Sequence, residues 1–200
     1  MSYKHLVFTV ALIAVSITVA LGVGEAFLRL KSSNMHNYDI EMWRYAKELK
    51  RESKNPLLGH EHIPYAAAFL QSVKLRINSD GLRGEDLEPK QPEEKRILFL
   101  GSSITLGWGV KEEETLTERL NQMFESENAS TKVLNAGIGN YNTARYVERF
   151  LKELAHLDPD TIVVQYFVND AEELEFATGN WFLRNSQLAV TLWIAYNRFF

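Results

Sequence analysis

Ser102 and Ser103 are the residues best placed by type and context to do chemistry. They follow an apolar run, Ile97-Leu98-Phe99-Leu100, that stops at Gly101, and they precede Thr105, Gly107 and Gly109. A short run of that kind suits a strand covered on both faces in a parallel sheet. Open α/β sheets bind their ligands at the carboxyl ends of such strands. A serine there can offer a nucleophilic hydroxyl, and its own backbone N–H, to a substrate. Three other readings fail on spacing. A phosphate-cradling Walker A loop needs lysine where the chain has Trp108 after Gly107, and a dinucleotide loop needs a third glycine where it has Glu112. The strained G-x-S-x-G elbow needs glycine at Thr105. The plain alternative is a strand that ends in a turn with no chemistry.

Two further polar clusters stand behind apolar runs. Gly137 to Asn142, GIGNYN, follows the short strand expected at Lys132 to Ala136. Asn169-Asp170 follows Thr161 to Phe167, TIVVQYF, whose β-branched and aromatic residues predict a third strand. Taken alone, Asn169-Asp170 reads as a turn or a helix cap, and for Asp170 a cap or a loop brace is the expectation.

The elements that must position these clusters follow in order. Thr115 and Glu118 form an S/T-x-x-E capping signature, and Leu116, Leu120, Met123 and Phe124 then recur at helical spacing. Asn142 or Thr143 can cap a second helix with the stripe Val147, Phe150, Leu151 and Leu154, stopped by Asp158-Pro159-Asp160. Strand, helix, strand, helix, strand predicts right-handed βαβ units and a parallel sheet with helices on its faces, an α/β/α fold.

Ahead of the sheet, Leu6 to Gly24 carries no charge and is long enough to span a hydrocarbon core. A retained membrane anchor is the favoured reading, and a cleaved signal peptide is the alternative. Lys4 before the segment and Arg29 and Lys31 after it leave the positive-inside count undecided. Residues 1–30 are thus the anchor, 31–92 a juxtamembrane helix and approach segment, and 93–200 the α/β domain. In the approach segment, Ile40 to Ser53 predicts a surface helix with Trp43, Ala46, Lys47 and Lys50 at helical spacing. Asn78-Ser79-Asp80-Gly81 is turn chemistry. His60-Glu61-His62 would put both histidines on one face of a strand, but a pair is a weak metal signal and a solvated loop is the simpler expectation. Asn185 to Phe200 predicts a last apolar helix.

Composition narrows the functions. The 200 residues carry a formal net charge of -4, which is no footprint for nucleic acid. With no cysteine, disulfides, thiolate zinc sites and cysteine catalysis are excluded.

Together the three clusters resemble the first three sequence blocks of the SGNH (GDSL-type) hydrolases, in the family's order, over about Arg96 to Asp170. Ser103 falls on the family's nucleophile; Ser102 stands where the family has aspartate and can still hydrogen-bond locally. N-A-G-x-x-x-Y-N-T resembles the second block, which implies an oxyanion donor from the backbone of Gly139 or Asn140. Phe167-Val168-Asn169-Asp170 resembles the third, with phenylalanine for glycine, which implies that the Asn169 amide is a further donor. The N-S-D-G-L-R-G stretch is similar to the approach segment of membrane-anchored members. The resemblance implies a flavodoxin-like sheet, a serine esterase or acyl-transfer activity on acyl or acetyl esters of lipids, glycans or small molecules, and no metal or organic cofactor. It implies a single-pass membrane protein with its globular part outside the cytoplasm.

The family's fourth block, D-x-x-H, supplies the base, and no match to it is found. Its nearest imitation, Glu153-Leu154-Ala155-His156, sits at the far end of a helix of about 14 residues, roughly 20 Å from the catalytic edge at 1.5 Å per residue. The expectation is therefore a catalytically incomplete chain, a truncated or decayed reading of a longer protein. The competing function is a non-catalytic binding module that keeps the oxyanion loops without the base.

Overall fold

The structure is a computed structural model that describes residues 3–32, 37–171 and 180–199; the side chains of Ser32 and Asn169 are not among the described parts. It divides into two compact units, Met1–Met42 with Ala177–Phe200, and Trp43–Phe176.

In the first unit, α1 (Tyr3–Ser32) is 30 residues of continuous helix. It is long and apolar enough to cross a membrane, and its apolar side chains are exposed. Thr9 and Thr18 return their hydroxyls to the carbonyls of His5 and Ala14, so they add no unsatisfied polar group to that surface.

The second unit opens within α2 (Tyr38–Glu48). The helix expected to Ser53 ends five residues early, because Lys50–Glu52 leaves it as strand β1 and pairs antiparallel with β2 (His60–His62). The histidines are thus on a strand, not in a solvated loop, and His62 is buried. Nor is α2 only a surface helix, since Tyr45 is fully buried, as is Leu49 just beyond it. A second hairpin follows, β3 (Ala67–Leu70) with β4 (Val73–Arg76). Gly81 takes the left-handed conformation, φ +74°, while Asn78 Oδ1 accepts from the N–H groups of Asp80 and Leu82.

The parallel sheet is built from β5 (Lys95–Gly101), β6 (Thr131–Asn135) and β7 (Thr161–Gln165) in the order β6-β5-β7. Between the first two strands lie α3 (Ser103–Leu106) and α4 (Leu116–Ser126), and between the last two lies α5 (Thr143–Arg149). Thr115 caps α4 by accepting from the Glu118 N–H, and Asn142 caps α5 by accepting from Arg145 N–H. The core is continuous from the approach segment into the sheet: Leu58, Leu82, Leu98, Leu100, Leu134, Ile138, Tyr146 and Leu154 form one buried cluster. The apolar stripes are only partly right. Leu116, Met123, Val147 and Leu151 are exposed, while Thr117 and Asn121 on α4 and Tyr146 and Arg149 on α5 are buried. Asn121 is buried because its amide completes the free edge of β6, accepting from Val133 N–H and donating to Val133 O.

Back in the first unit, the chain forms α6 (Trp181–Asn185) and α7 (Gln187–Phe199), the last apolar helix expected. Glu25 of α1 caps α7, accepting from the N–H groups of Gln187 and Leu188.

Candidate active site

Parallel pairing sends the three loops after β5, β6 and β7 out of one edge of the sheet. Ser103 is the second residue after β5, behind Ser102, and heads α3, so its N–H has no partner within that helix. The residue is half-buried. Its short helix is wedged between the other two strands. Thr105 donates to Gln165 Oε1 of β7 at 2.8 Å, and Asn135 of β6 donates to Thr105 O at 2.8 Å. Arg83, from the approach segment, is buried and donates to Leu106 O, Gly107 O and Val110 O at 2.6, 2.7 and 2.6 Å. Ser102 is buried too, but the expected local hydrogen bond is not made: its Oγ meets no partner among the described residues. The Tyr146 hydroxyl lies toward it, yet its proton goes to Asp170.

The second loop continues beside β5, with Ile138 N–H donating to Gly101 O at 3.0 Å. Gly139 and Asn140 differ sharply from each other. The Gly139 N–H already donates to the Tyr45 hydroxyl at 3.0 Å, and a side chain at Gly139 would strike the Tyr45 ring, 2.7 Å from the ideal Cβ position. Asn140 is exposed and left-handed, φ +63°, a conformation asparagine tolerates better than most residues. Among the described residues, no acceptor meets its N–H.

The flanking carbonyls are held by cations and an imidazole. Gly139 O lies 3.2 Å from Lys50 Nζ and 3.0 Å from His60 Nε2, and Arg145 donates to Asn140 O at 3.0 Å. Lys50 Nζ is also 4.5 Å from the Tyr45 ring centre and 3.3 Å from His60 Nε2. This enclosure, with Arg145 adding repulsion, pushes the Lys50 ammonium down to about 7. Burial and then the Lys50 charge push His60 down to about 3. His62, lowered by burial and by Arg149, bonds Tyr45 through Nε2 at 2.7 Å and Gly81 O through Nδ1 at 2.9 Å. Tyr141 donates its hydroxyl to His60 O, which fastens the loop to β2 from the other side.

The third loop runs two residues beyond the end of β7 and then turns through Val168–Ala171. The Asn169 side chain lies outside the described residues. Asp170 is buried and accepts from Tyr146 at 2.7 Å and from Thr143 at 3.1 Å, which braces this loop against the start of α5. His156 is exposed in a turn at Ala155–Leu157 and pairs with Asp80 at 3.1 Å. Two clefts among the described residues, one at Arg51, Asn55, Glu61 and Lys152 and one at Tyr65, Arg76, Asn78 and Glu85, include neither Ser103 nor Asn140.

Sequence reasoning found the three loops and missed the residues that hold two of them: Tyr45, Lys50, His60 and Arg83. Only the His60-Glu61-His62 spacing hinted at a built feature.

No protein-family model and no curated protein matches the chain. Among solved structures it is similar to AlinE4, described as an SGNH-hydrolase family esterase, at 26% identity and a TM-score of 0.34, over 40% of this chain and 44% of that one. It is also similar to TesA, at 25% identity and a TM-score of 0.36, over 38% and 42%. The chain thus spans less than half the length of each.

Proposed function

We propose that this edge of the sheet carries serine ester-hydrolase or acyl-transfer chemistry, on acyl or acetyl esters of lipids, glycans or small molecules. Ser103 Oγ attacks the ester carbonyl, the carbonyl oxygen becomes an oxyanion, and its collapse expels the alcohol, which takes up a proton. Water or a second hydroxyl then accepts the acyl group from Ser103. The Ser103 and Asn140 N–H groups and the Asn169 amide serve as oxyanion donors. Gly139 is the weaker candidate because its N–H is committed to Tyr45. The observation that carries the reading is one edge with a serine at the head of α3 and, on the neighbouring loop, a left-handed Asn140 whose N–H meets no acceptor among the described residues. The α1 helix tethers the domain at a membrane, with the globular part outside the cytoplasm.

A second reading, a binding module without turnover, is favoured by the histidines. His62 spends both ring nitrogens on Tyr45 and Gly81, His60 Nε2 faces Gly139 O and Lys50, and His156 pairs with Asp80. A serine needs a base within hydrogen-bond reach to be an effective nucleophile. A fluorophosphonate probe separates the two on the full chain in detergent. Labelling that Ser103→Ala abolishes supports the esterase; silence on folded protein supports the binding module. Protease protection of residues 43–171 in spheroplasts would reverse the orientation.

A further inference from the structure

The Gly139 carbonyl and the Asn140 N–H are two ends of one peptide group. We propose that Lys50 and His60 are positioning residues for that group: by holding Gly139 O they fix and polarise the Asn140 N–H, a role that rests on the ester-chemistry reading above. The geometry carries it. Lys50 Nζ and His60 Nε2 both lie within hydrogen-bond distance of Gly139 O, at 3.2 and 3.0 Å. The peptide before it is pinned by Gly139 N–H to the Tyr45 hydroxyl, and the peptide after it by Arg145 to Asn140 O. The middle N–H is the one that meets no acceptor among the described residues. A donor on a carbonyl draws electron density through the peptide and strengthens the same unit's N–H as a donor; such chains are cooperative by roughly 10–30% per bond.

The proton arrangement gives this grip two states. With Lys50 charged, its ammonium donates to Gly139 O and to His60 Nε2, whose own proton then sits on Nδ1. With Lys50 neutral, His60 holds its proton on Nε2 and donates to Gly139 O in its place. The carbonyl keeps a donor in both states, and the full positive charge acts on it in only one. The charge is placed by its surroundings. Lys50 faces Tyr45 from α2, His60 and His62 from β2 and Arg145 from α5, and Tyr141 from the loop packs against His60 beside it. The carboxylates Glu61 and Glu153 act on Tyr141 and Arg149, and among the described residues none pairs with Lys50. Burial and then the Arg145 charge bring Lys50 to about 7, so the switch falls in the neutral range.

The test is nuclear magnetic resonance on the full chain in detergent micelles, following the Gly139 carbonyl carbon, the Asn140 amide and the Lys50 side chain from pH 5 to 9. The expected result is one shared transition near pH 7 at all three. Lys50→Met should remove the transition at Gly139 and Asn140, and Lys50→Arg should hold both at their acid-side positions throughout. His60→Gln, which keeps a donor, should retain the transition if the lysine variants do not fold. An Asn140 amide that stays flat while Lys50 titrates overturns the proposal. Fluorophosphonate labelling of Ser103 is the second arm: about tenfold slower in Lys50→Met, since a whole lost oxyanion donor costs about 10²–10³, and restored to within about twofold in Lys50→Arg. Shared titration with an unlabelled wild type would keep the grip and overturn the ester reading. Normal labelling in a folded Lys50→Met would overturn the positioning role.

Discussion

Gly137→Ala tests whether the first two loops meet as the structure has them. Gly137 follows β6, and an ideal Cβ there would lie 2.1 Å from Leu106 N, 2.7 Å from Leu106 Cα and 2.7 Å from Thr105 C. Ordinary contact begins near 3.4 Å, so the first shortfall is 3.4 − 2.1 = 1.3 Å. All three obstacles are backbone, and rotating a side chain relieves none of them. The α3 backbone cannot easily withdraw, because Arg83 holds Leu106 O and Gly107 O, and Asn135 holds Thr105 O. On the other side, Gly137 N–H donates to Asn135 Oδ1 at 3.0 Å. Gly137 is not among the positive-φ glycines, so alanine meets no backbone penalty and would otherwise gain about 0.4–1 kcal/mol through the unfolded chain. Overpacking typically costs 1–3 kcal/mol, and a clash against held backbone belongs at the top of that range, about 3 kcal/mol. For a unit of this size that is a fall of about 10 °C in Tm. Thermal and urea unfolding in detergent read it, with Gly22→Ala as control because nothing lies within 4 Å of its Cβ. A Gly137→Ala protein within about 1 kcal/mol of wild type would mean that the second loop does not press on α3, and the convergence argued here would fall with it.

Two further outcomes are expected. His60 and His62 are neutral in the fold, with pKa values driven below the ordinary 6.5, to about 3 for His60. Their contribution to stability is complete above pH 6.5 and is lost as pH falls toward 3, at up to ~1.4 kcal/mol per histidine per pH unit. Urea midpoints should drop from pH 7 to pH 4.5, and less steeply in His60→Gln; equal slopes would contradict the burial of an uncharged His60. Tyr146→Phe removes the hydroxyl that meets buried Asp170 at 2.7 Å and should cost about 1–3 kcal/mol by urea unfolding, with no change counting against the brace on the third loop.

The sheet was legible because its strands are short apolar runs with turn residues on both sides. The expected 97–100, 132–136 and 161–167 meet the observed Lys95–Gly101, Thr131–Asn135 and Thr161–Gln165. The caps at Thr115 and Asn142 were legible for a similar reason, since a cap is a local hydrogen bond written in four residues. The approach segment was not. Lys50 stands at helical spacing from Trp43, Ala46 and Lys47, but pairing with β2 overrides that local preference, and nothing in two charged triplets ten residues apart announces the pairing. The exposed Leu116, Met123, Val147 and Leu151 show the reverse error: helical spacing of apolar residues marks a face and does not say what covers it. Arg83, Arg145 and Arg149 carry no signal in the sequence and are buried in the fold. Their partners are main-chain carbonyls, which no residue type reveals.

That last pattern bears on what the edge is for. Arg83 donates to Leu106 O, Gly107 O and Val110 O, Arg145 to Asn140 O, Arg149 to Ala136 O and Gly81 O, and Lys50 to Gly139 O. Burying a cation costs several kcal/mol even when it is well bonded, and an apolar residue of similar size would cost less. Burial holds all four below their ordinary pKa, so the fold bears that cost at each of them. Arg149 is partly compensated by Glu153 at 3.7 Å. A carbonyl neutralises no charge; Glu112 and Glu113 offset part of the Arg83 charge, and the remainder of the positive potential persists around the first and second loops. Each bond also turns its peptide so that the oxygen faces the protein. The N–H groups of Gly107, Trp108, Gly137 and Leu82 in these peptides are bonded within the fold, which leaves the Asn140 N–H as the donor that would meet a charge that develops as negative. The arrangement would do little for a surface that only binds an uncharged ligand. On the proposed ester chemistry, this arrangement would favour the transition state at Ser103 over the bound ester.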